Sequence, residues 1–277
     1  MWSEADARMT RFLWVFVGMV LVGSGAIAPG AEPSDETTVL YRRRRITPPP
    51  AQLKLDPFYK KYLDAGGIPV VSSDKVADAA LLTARDLARG MLSKRPKVRA
   101  ALARSGVRIA VMAASEVTTD IPEHRDLNQA FPETDWDKRA RGLGATAARP
   151  ACSVGEENLL QHATDRYRGE SIFIHEFAHT VLTMGVQAVD PKFRPRLEAA
   201  FRNAKADGRW ARTYAATNPD EYWAEGVQSW YDANREALPP NGIHNEVDTR
   251  EELVRYDPAL AGLVAEVFPA GWRWSRR

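Results

Sequence analysis

The sequence predicts an α+β protein, with a few strands early and mostly helices on and after them. Three observations carry this. Val107 to Ala113 (VRIAVMA) places Val107, Ile109, Val111 and Ala113 on one side of an alternating run, the mark of a strand. Strong helix-start signals crowd the second half: Asn218-Pro219, Thr249 with Glu252, and Asp257-Pro258. No internal repeat runs through the chain.

The N-terminus has its own character. Phe12 to Ala28 (FLWVFVGMVLVGSGAIA) carries no charge, Arg8 and Arg11 precede it, and Ala26, Ala28, Gly30 and Ala31 follow. This is the pattern of a secretory signal peptide over residues 1–31. The apolar stretch falls short of the roughly 20 residues of a comfortable membrane span, so an uncleaved anchor is the alternative. The mature part is expected in a secreted, periplasmic or other extracytoplasmic setting. Contact with a membrane is expected only through that N-terminal segment.

Residues 32–55 read as a linker or pro-segment. They hold Arg42 to Arg45 and Pro48 to Pro50 with little apolar periodicity; the arginine run is a solvated tether or a processing site. Residues 56–277 read as one folded domain, in an N-terminal part (56–168) and a more helical part (169–277). The 44% hydrophobic content can fill its core. Cys152 is the only cysteine, which excludes an intramolecular disulfide, and is expected as a plain small side chain. The formal charge of +2, from 38 basic and 36 acidic residues, gives no pull toward nucleic acid.

Within the domain, Asp74 can cap a helix with Val76, Ala80, Thr83, Leu87 and Met91 along one face. A shorter helix runs from Pro96, with Val98 and Leu102, and stops at Gly106. The strand at 107–113 follows. Residues 115–151 are rich in charge, Gly and Pro and read as long loops with short strands. After Gly169 comes a helix ending near Gly185, and another lies between Phe193 and Ala206 with Pro195 in its first turn. The helices opened at Asn218, Thr249 and Asp257 complete the chain.

The helix after Gly169 contains HEFAH. Residues i and i+4 of a helix lie one above the other, so His175 and His179 can aim both imidazoles at one Zn²⁺. Glu176 is offset around the helix and can reach a water on the metal without binding the metal itself. Zinc acidifies that water, the glutamate takes its proton, and hydroxide attacks a carbonyl. The bland reading is a pair of hydrogen-bonded core histidines. Ile172, Ile174, Phe177, Val181 and Leu182 weigh against it, because an unpaired imidazole among them is costly and a ligand role offsets that cost.

The third ligand decides the class. The metzincin pattern needs Gly at 182 and His at 185; Leu182 and Gly185 close that route. A glutamate from a second helix is the other common solution. Glu221 and Glu225 share a face of the Asn218 helix. Glu221 can ligate while Glu225, one turn on, sits behind and accepts the outer N–H of a ligand histidine; the reverse assignment stays open here. His124, His162 and His244 read as surface or core side chains, with His162 closest to the cleft.

HEFAH followed by EYWAE resembles the gluzincin metallopeptidases, most closely the group of the anthrax lethal factor catalytic domain and the Pro-Pro endopeptidases. The match covers residues 169–234. The stretches DPFYKKYLDAGGIPVVSSDKV and SVGEENLL also look like those of uncharacterised secreted proteins with this core. The resemblance implies a zincin-like fold, Zn²⁺ as cofactor, His175, His179 and Glu221 as ligands, Glu176 as general base, and Glu225 as support. A tyrosine seven residues before the ligand glutamate points into the site in that group; here it is Tyr214, implied as donor to the oxyanion. It further implies an extended peptide or protein substrate on a sheet edge, expected near Ala148 to Asn158.

A secreted zinc metalloendopeptidase is therefore the leading expectation. A zinc-stabilised binding module is the first alternative; Glu176 and Tyr214 argue against it, since neither is needed to hold a structural ion. A zinc hydrolase of a non-peptide amide or ester is the second.

Overall fold

The computed structural model describes residues 45–275. The expected signal segment and the first arginines of the 42–45 run lie outside the described residues. Of the stretch expected as tether, Thr47 is already tied to Tyr62 by two backbone hydrogen bonds, and Ile46 packs on the core.

The chain builds a five-stranded mixed sheet and packs helices on one of its faces. In chain order the strands are β1 (Lys61–Asp64), β2 (Pro69–Ser72), β3 (Arg108–Met112), β4 (Gly142–Leu143) and β5 (Ala151–Gly155). Their spatial order is β1-β2-β3-β5-β4. The hairpin β1–β2 is antiparallel, β2, β3 and β5 are mutually parallel, and β4 is antiparallel to β5. The longer helices are α1 (Asp78–Met91), α2 (Pro96–Arg104), α3 (Ile172–Thr180), α4 (Phe193–Ala206), α5 (Pro219–Trp230), α6 (Arg250–Tyr256) and α7 (Pro258–Val267). None is long and apolar enough to cross a membrane.

The expected face of β3 is the face that packs. Val107, Ile109, Val111 and Ala113 join the main core with α1 and α3. The opposite face is buried too: Ala110 and Met112 meet Tyr59, Val71 and Ile121 in a second, smaller core. Burial on both sides is what a parallel central strand requires.

Three elements depart from expectation. Helix α1 starts at Asp78, beyond Ala77, with no side-chain cap, so Asp74 does not cap it. Its inner face is Ala80, Leu81, Ala84, Ala88 and Met91, while Thr83 and Leu87 are half-buried. Small side chains let the helix lie close to the sheet, and that contact outweighs burial of one more leucine. Secondly, the motif helix does not end at Gly185. The α3 turns pass into a π-helix, Val181–Val186, and then Gln187–Val189. Gly185 serves packing instead: a Cβ there would meet Val98 Cγ1 at 2.8 Å. Thirdly, the stretch Ala148–Asn158 is not a sheet edge. Its strand β5 is hydrogen-bonded on both sides, and the open edge beside α3 is β4.

The other start signals hold. Asn218 Oδ1 accepts from the backbone N–H of Asp220 and Glu221, and Asp257 caps α7. Thr249 and Glu252 form the reciprocal capping box of α6. Cys152 is buried on β5, and burial pushes its thiol far above the usual range, so it is inert packing.

Candidate metal centre

Helices α3 and α5 cross directly, and their contact builds the site. Ser171 caps α3, accepting from the Ile174 N–H, and Asn158 Oδ1 accepts from the Ile172 N–H. These hold the start of the helix against the turn after β5. On α5, Trp223 is fully buried and its indole N–H donates to the Ala178 carbonyl at 3.0 Å. That bond sets the height of one helix against the other. The Asn218 cap, worth about 1 kcal/mol, fixes the first turn of α5, and Arg194 clamps Asp220 beside it.

The result brings His175, His179 and Glu221 to one point. His175 Nε2 lies 3.1 Å from Glu221 Oε2, His179 Nε2 lies 3.2 Å from the same oxygen, and the two Nε2 atoms are 3.1 Å apart. Four ligands about 2.0–2.1 Å from a tetrahedral zinc stand roughly 3.3 Å from each other, so three of the four corners are present. This group could hold a metal ion. Both nitrogens and the carboxylate oxygen suit zinc.

The tautomer of His175 follows from its other nitrogen. Its Nδ1 is 2.7 Å from Gln228 Oε1. The amide orientation of Gln228 is fixed in turn, because its Nε2 donates to the Ser171 carbonyl at 3.2 Å. Gln228 therefore accepts from Nδ1–H, and the Nε2 lone pair faces the other ligand atoms. Sequence reasoning expected Glu225 in this place. Glu225 stands 3.6 Å from Nδ1, beyond hydrogen-bond reach, and accepts instead from Asn234 at 2.9 Å. Gln228 follows Glu221 at i+7 and Glu225 at i+3 on one helix face; that spacing was the available signal.

The electrostatics call for a cation. Burial works against charging His175, but the hydrogen bond to Glu221 and the charges of Glu176, Glu225 and Glu221 push its pKa up to about 10. Burial alone would raise Glu221, yet the two histidines hold it well below the usual carboxylate range. Without a metal a proton answers this negative field; a divalent ion would meet the same field. Glu225 is fully enclosed, and burial pushes its carboxyl up to about 7 despite His175 and Asn234.

Glu176 packs against the β4 segment. A Cβ at Gly142 would meet Glu176 Cγ at 3.1 Å, and one at Gly144 would meet His179 Cβ at 2.8 Å and lie 3.6 Å from Glu176 Oε2. The glycines let the strand segment lie close on α3, with the Glu176 carboxylate beside Gly144. Thr180 ties the two together, donating to the Glu176 carbonyl and accepting from the Ala145 N–H.

Tyr214 opens a short 3-10 turn, Tyr214–Ala216, on the other side of the ligand cluster. Its hydroxyl lies 3.2 Å from Glu221 Oε1, and its ring stacks along His175. Burial and the Glu221 charge push the phenol up to about 12, so it keeps its proton and donates at neutral pH. The remaining histidines stay apart: His162 is exposed, while His124 and His244 are buried away from the three ligand candidates.

No protein-family model matches the sequence, and no curated protein does. Among solved structures, the Pro-Pro endopeptidase (PPEP-2) from Paenibacillus alvei is similar to this chain. The likeness spans 74% of this chain and 98% of that one, with 19% sequence identity and a TM-score of 0.38.

Proposed function

We propose that this chain is an exported zinc-dependent metallopeptidase that hydrolyses peptide bonds. The observation that carries the reading is the trio of His175 Nε2, His179 Nε2 and Glu221 Oε2, mutually 3.1–3.2 Å apart. Bound zinc would supply Lewis acidity, lowering the pKa of a water and polarising the substrate carbonyl. The protein's own residues supply the rest. Glu176, free of other hydrogen-bonding duty at its carboxylate among the described residues, takes the proton of the attacking water and returns it to the leaving amine. Tyr214, with its proton held at neutral pH, donates to the developing oxyanion. Gln228 keeps the His175 tautomer correct.

The substrate is proposed to be a peptide in extended form, paired antiparallel to β4. The strand ends the sheet beside α3, so its outer edge has no strand partner among the described residues. Main-chain hydrogen bonds would then hold the scissile bond beside Gly142 to Gly144. Export rests on the charge-free Phe12 to Ala28 segment behind Arg8 and Arg11; N-terminal sequencing of protein recovered outside the cytoplasm checks it.

The test is zinc content by mass spectrometry and cleavage of a peptide library, for the wild type and Glu176→Gln. We expect about one zinc per chain in both. Turnover in the variant should fall by about 10²–10⁴-fold. Full activity without the base would overturn the mechanism.

A further inference from the structure

The cleft carries a cation that the proposed hydrolysis does not use. Lys138, Arg139 and Arg141 lie in the approach to β4, and their surroundings differ. Lys138 pairs with Asp135 at 2.8 Å. Arg141 turns under the sheet to Glu157 at 2.6 Å and to the Glu116 and Ala113 carbonyls. The Arg139 side chain is exposed and has no hydrogen bond or ion pair among the described residues.

Its backbone is nonetheless fixed. The Tyr167 hydroxyl donates to the Arg139 carbonyl at 3.3 Å, and Arg166, stacked on Tyr167, donates to the Lys138 carbonyl at 2.7 Å. Just downstream, Thr118 donates to the Ala140 carbonyl, and Gly142 packs on Glu176. The segment is thus a rigid wall of the groove, not a loose tip. Arg139 stands three residues before Gly142, and the packing of Gly142 on Glu176 puts this segment at the approach to the ligand cluster.

We propose that Arg139 is a specificity determinant that receives a carboxylate of the substrate on the C-terminal side of the scissile bond. This rests on the metallopeptidase reading. The direction follows from β4. A peptide paired antiparallel to it, with the scissile bond beside Gly142 to Gly144, runs its C-terminal part back toward residue 139. A guanidinium there can take two parallel hydrogen bonds from a carboxylate. The carboxylate can belong to an acidic side chain or to the peptide's own C-terminus.

The experiment uses zinc-loaded full-length protein and N-acetylated octapeptide pools, in one arm ending in a free carboxylate and in the other in an amide. Cleavage products are read by mass spectrometry. Glu or Asp enriched after the cleavage site in both arms identifies a side-chain partner; preference for the free-acid arm alone identifies the C-terminus. Kcat/KM for the preferred peptide over its uncharged counterpart (Glu against Gln, or acid against amide) should be about tenfold. Arg139→Glu should invert the preference toward Lys or Arg, and Arg139→Lys should retain part of it. Unchanged preference in Arg139→Glu, with cleavage intact, overturns the assignment and leaves the metallopeptidase reading standing. The same pools are measured by equilibrium binding to Glu176→Gln protein with and without Arg139→Glu. Acidic preference in binding that is lost with Arg139→Glu, but no cleavage by the wild type, would keep only the Arg139–carboxylate contact and sink the peptidase reading; neither binding nor cleavage sinks both.

Discussion

The first turn of α5 and the turn behind it place the same residue type in opposite surroundings. Glu221 faces the cleft between two imidazoles that hold its carboxyl low. Glu225, one turn on, is enclosed, and burial lifts its carboxyl to about 7. Both lie on the face of α5 that meets α3. The lesson is that a helix face brings residues together, but the neighbours across the interface set their charge. Glu221 meets two nitrogens and a route to solvent; Glu225 meets Asn234 and the far side of His175, whose bond is already taken by Gln228.

The largest effect should come from the front. In the proposed reading Glu221→Ala removes one ligand of three, so bound zinc and turnover should both drop to background. Zinc lost instead in Glu225→Ala would reverse the comparison and move the ligand one turn. Tyr214→Phe sharpens it at the cleft: kcat should fall by about 10²–10³-fold with metal content unchanged, since only the oxyanion donor is lost. Equal loss of zinc would show that the phenol serves Glu221 rather than the substrate.

Behind the ligands the effects should be smaller and of a different kind. Gln228→Ala leaves the His175 N–H without its acceptor, and zinc affinity measured by chelator competition should weaken by about 10–100-fold. Glu225→Gln should stabilise the metal-free protein, and only above acidic pH. The folded carboxyl titrates at about 7, above the ordinary carboxylate value of 4.5. The folded state therefore holds the proton more tightly than the unfolded chain. The penalty for ionising Glu225 is absent below pH 4.5, grows between 4.5 and 7, and is complete above 7. Chemical unfolding at pH 8 should show a gain on the order of 2 kcal/mol, and none at pH 4. A gain of equal size at both values would mean that the effect is packing rather than charge.

Much of this comparison was legible in the sequence. His175 and His179 could be placed on one helix face because i,i+4 geometry is local. Asn218-Pro219 marked the start of α5 because a cap and a proline at the first helical position act within four residues. The alternation at Val107 to Ala113 identified the core face of β3 for the same reason. The hairpin of β1 and β2 was not read, because DAGGIPVVSS carries its strand signal in a short run whose partner is fixed only by pairing. The ending at Gly185 failed because the glycine's neighbours, Val98 and Leu102, come from α2.

Local chemistry in the sequence thus determined which side chains share a face, where helices begin, and that two imidazoles and a glutamate stand ready on one helix. Tertiary structure alone decided what lies opposite them. It put β4 rather than the Ala148–Asn158 stretch at the open edge, because strand order depends on hydrogen bonds between distant segments. It gave the His175 N–H to Gln228 rather than Glu225, because the packing of α3 on α5 leaves Gln228 Oε1 at 2.7 Å from Nδ1 and Glu225 at 3.6 Å. It also left Arg139 without an ion pair among the described residues while Lys138 and Arg141 found carboxylates, since only tertiary packing determines which charges can reach a partner.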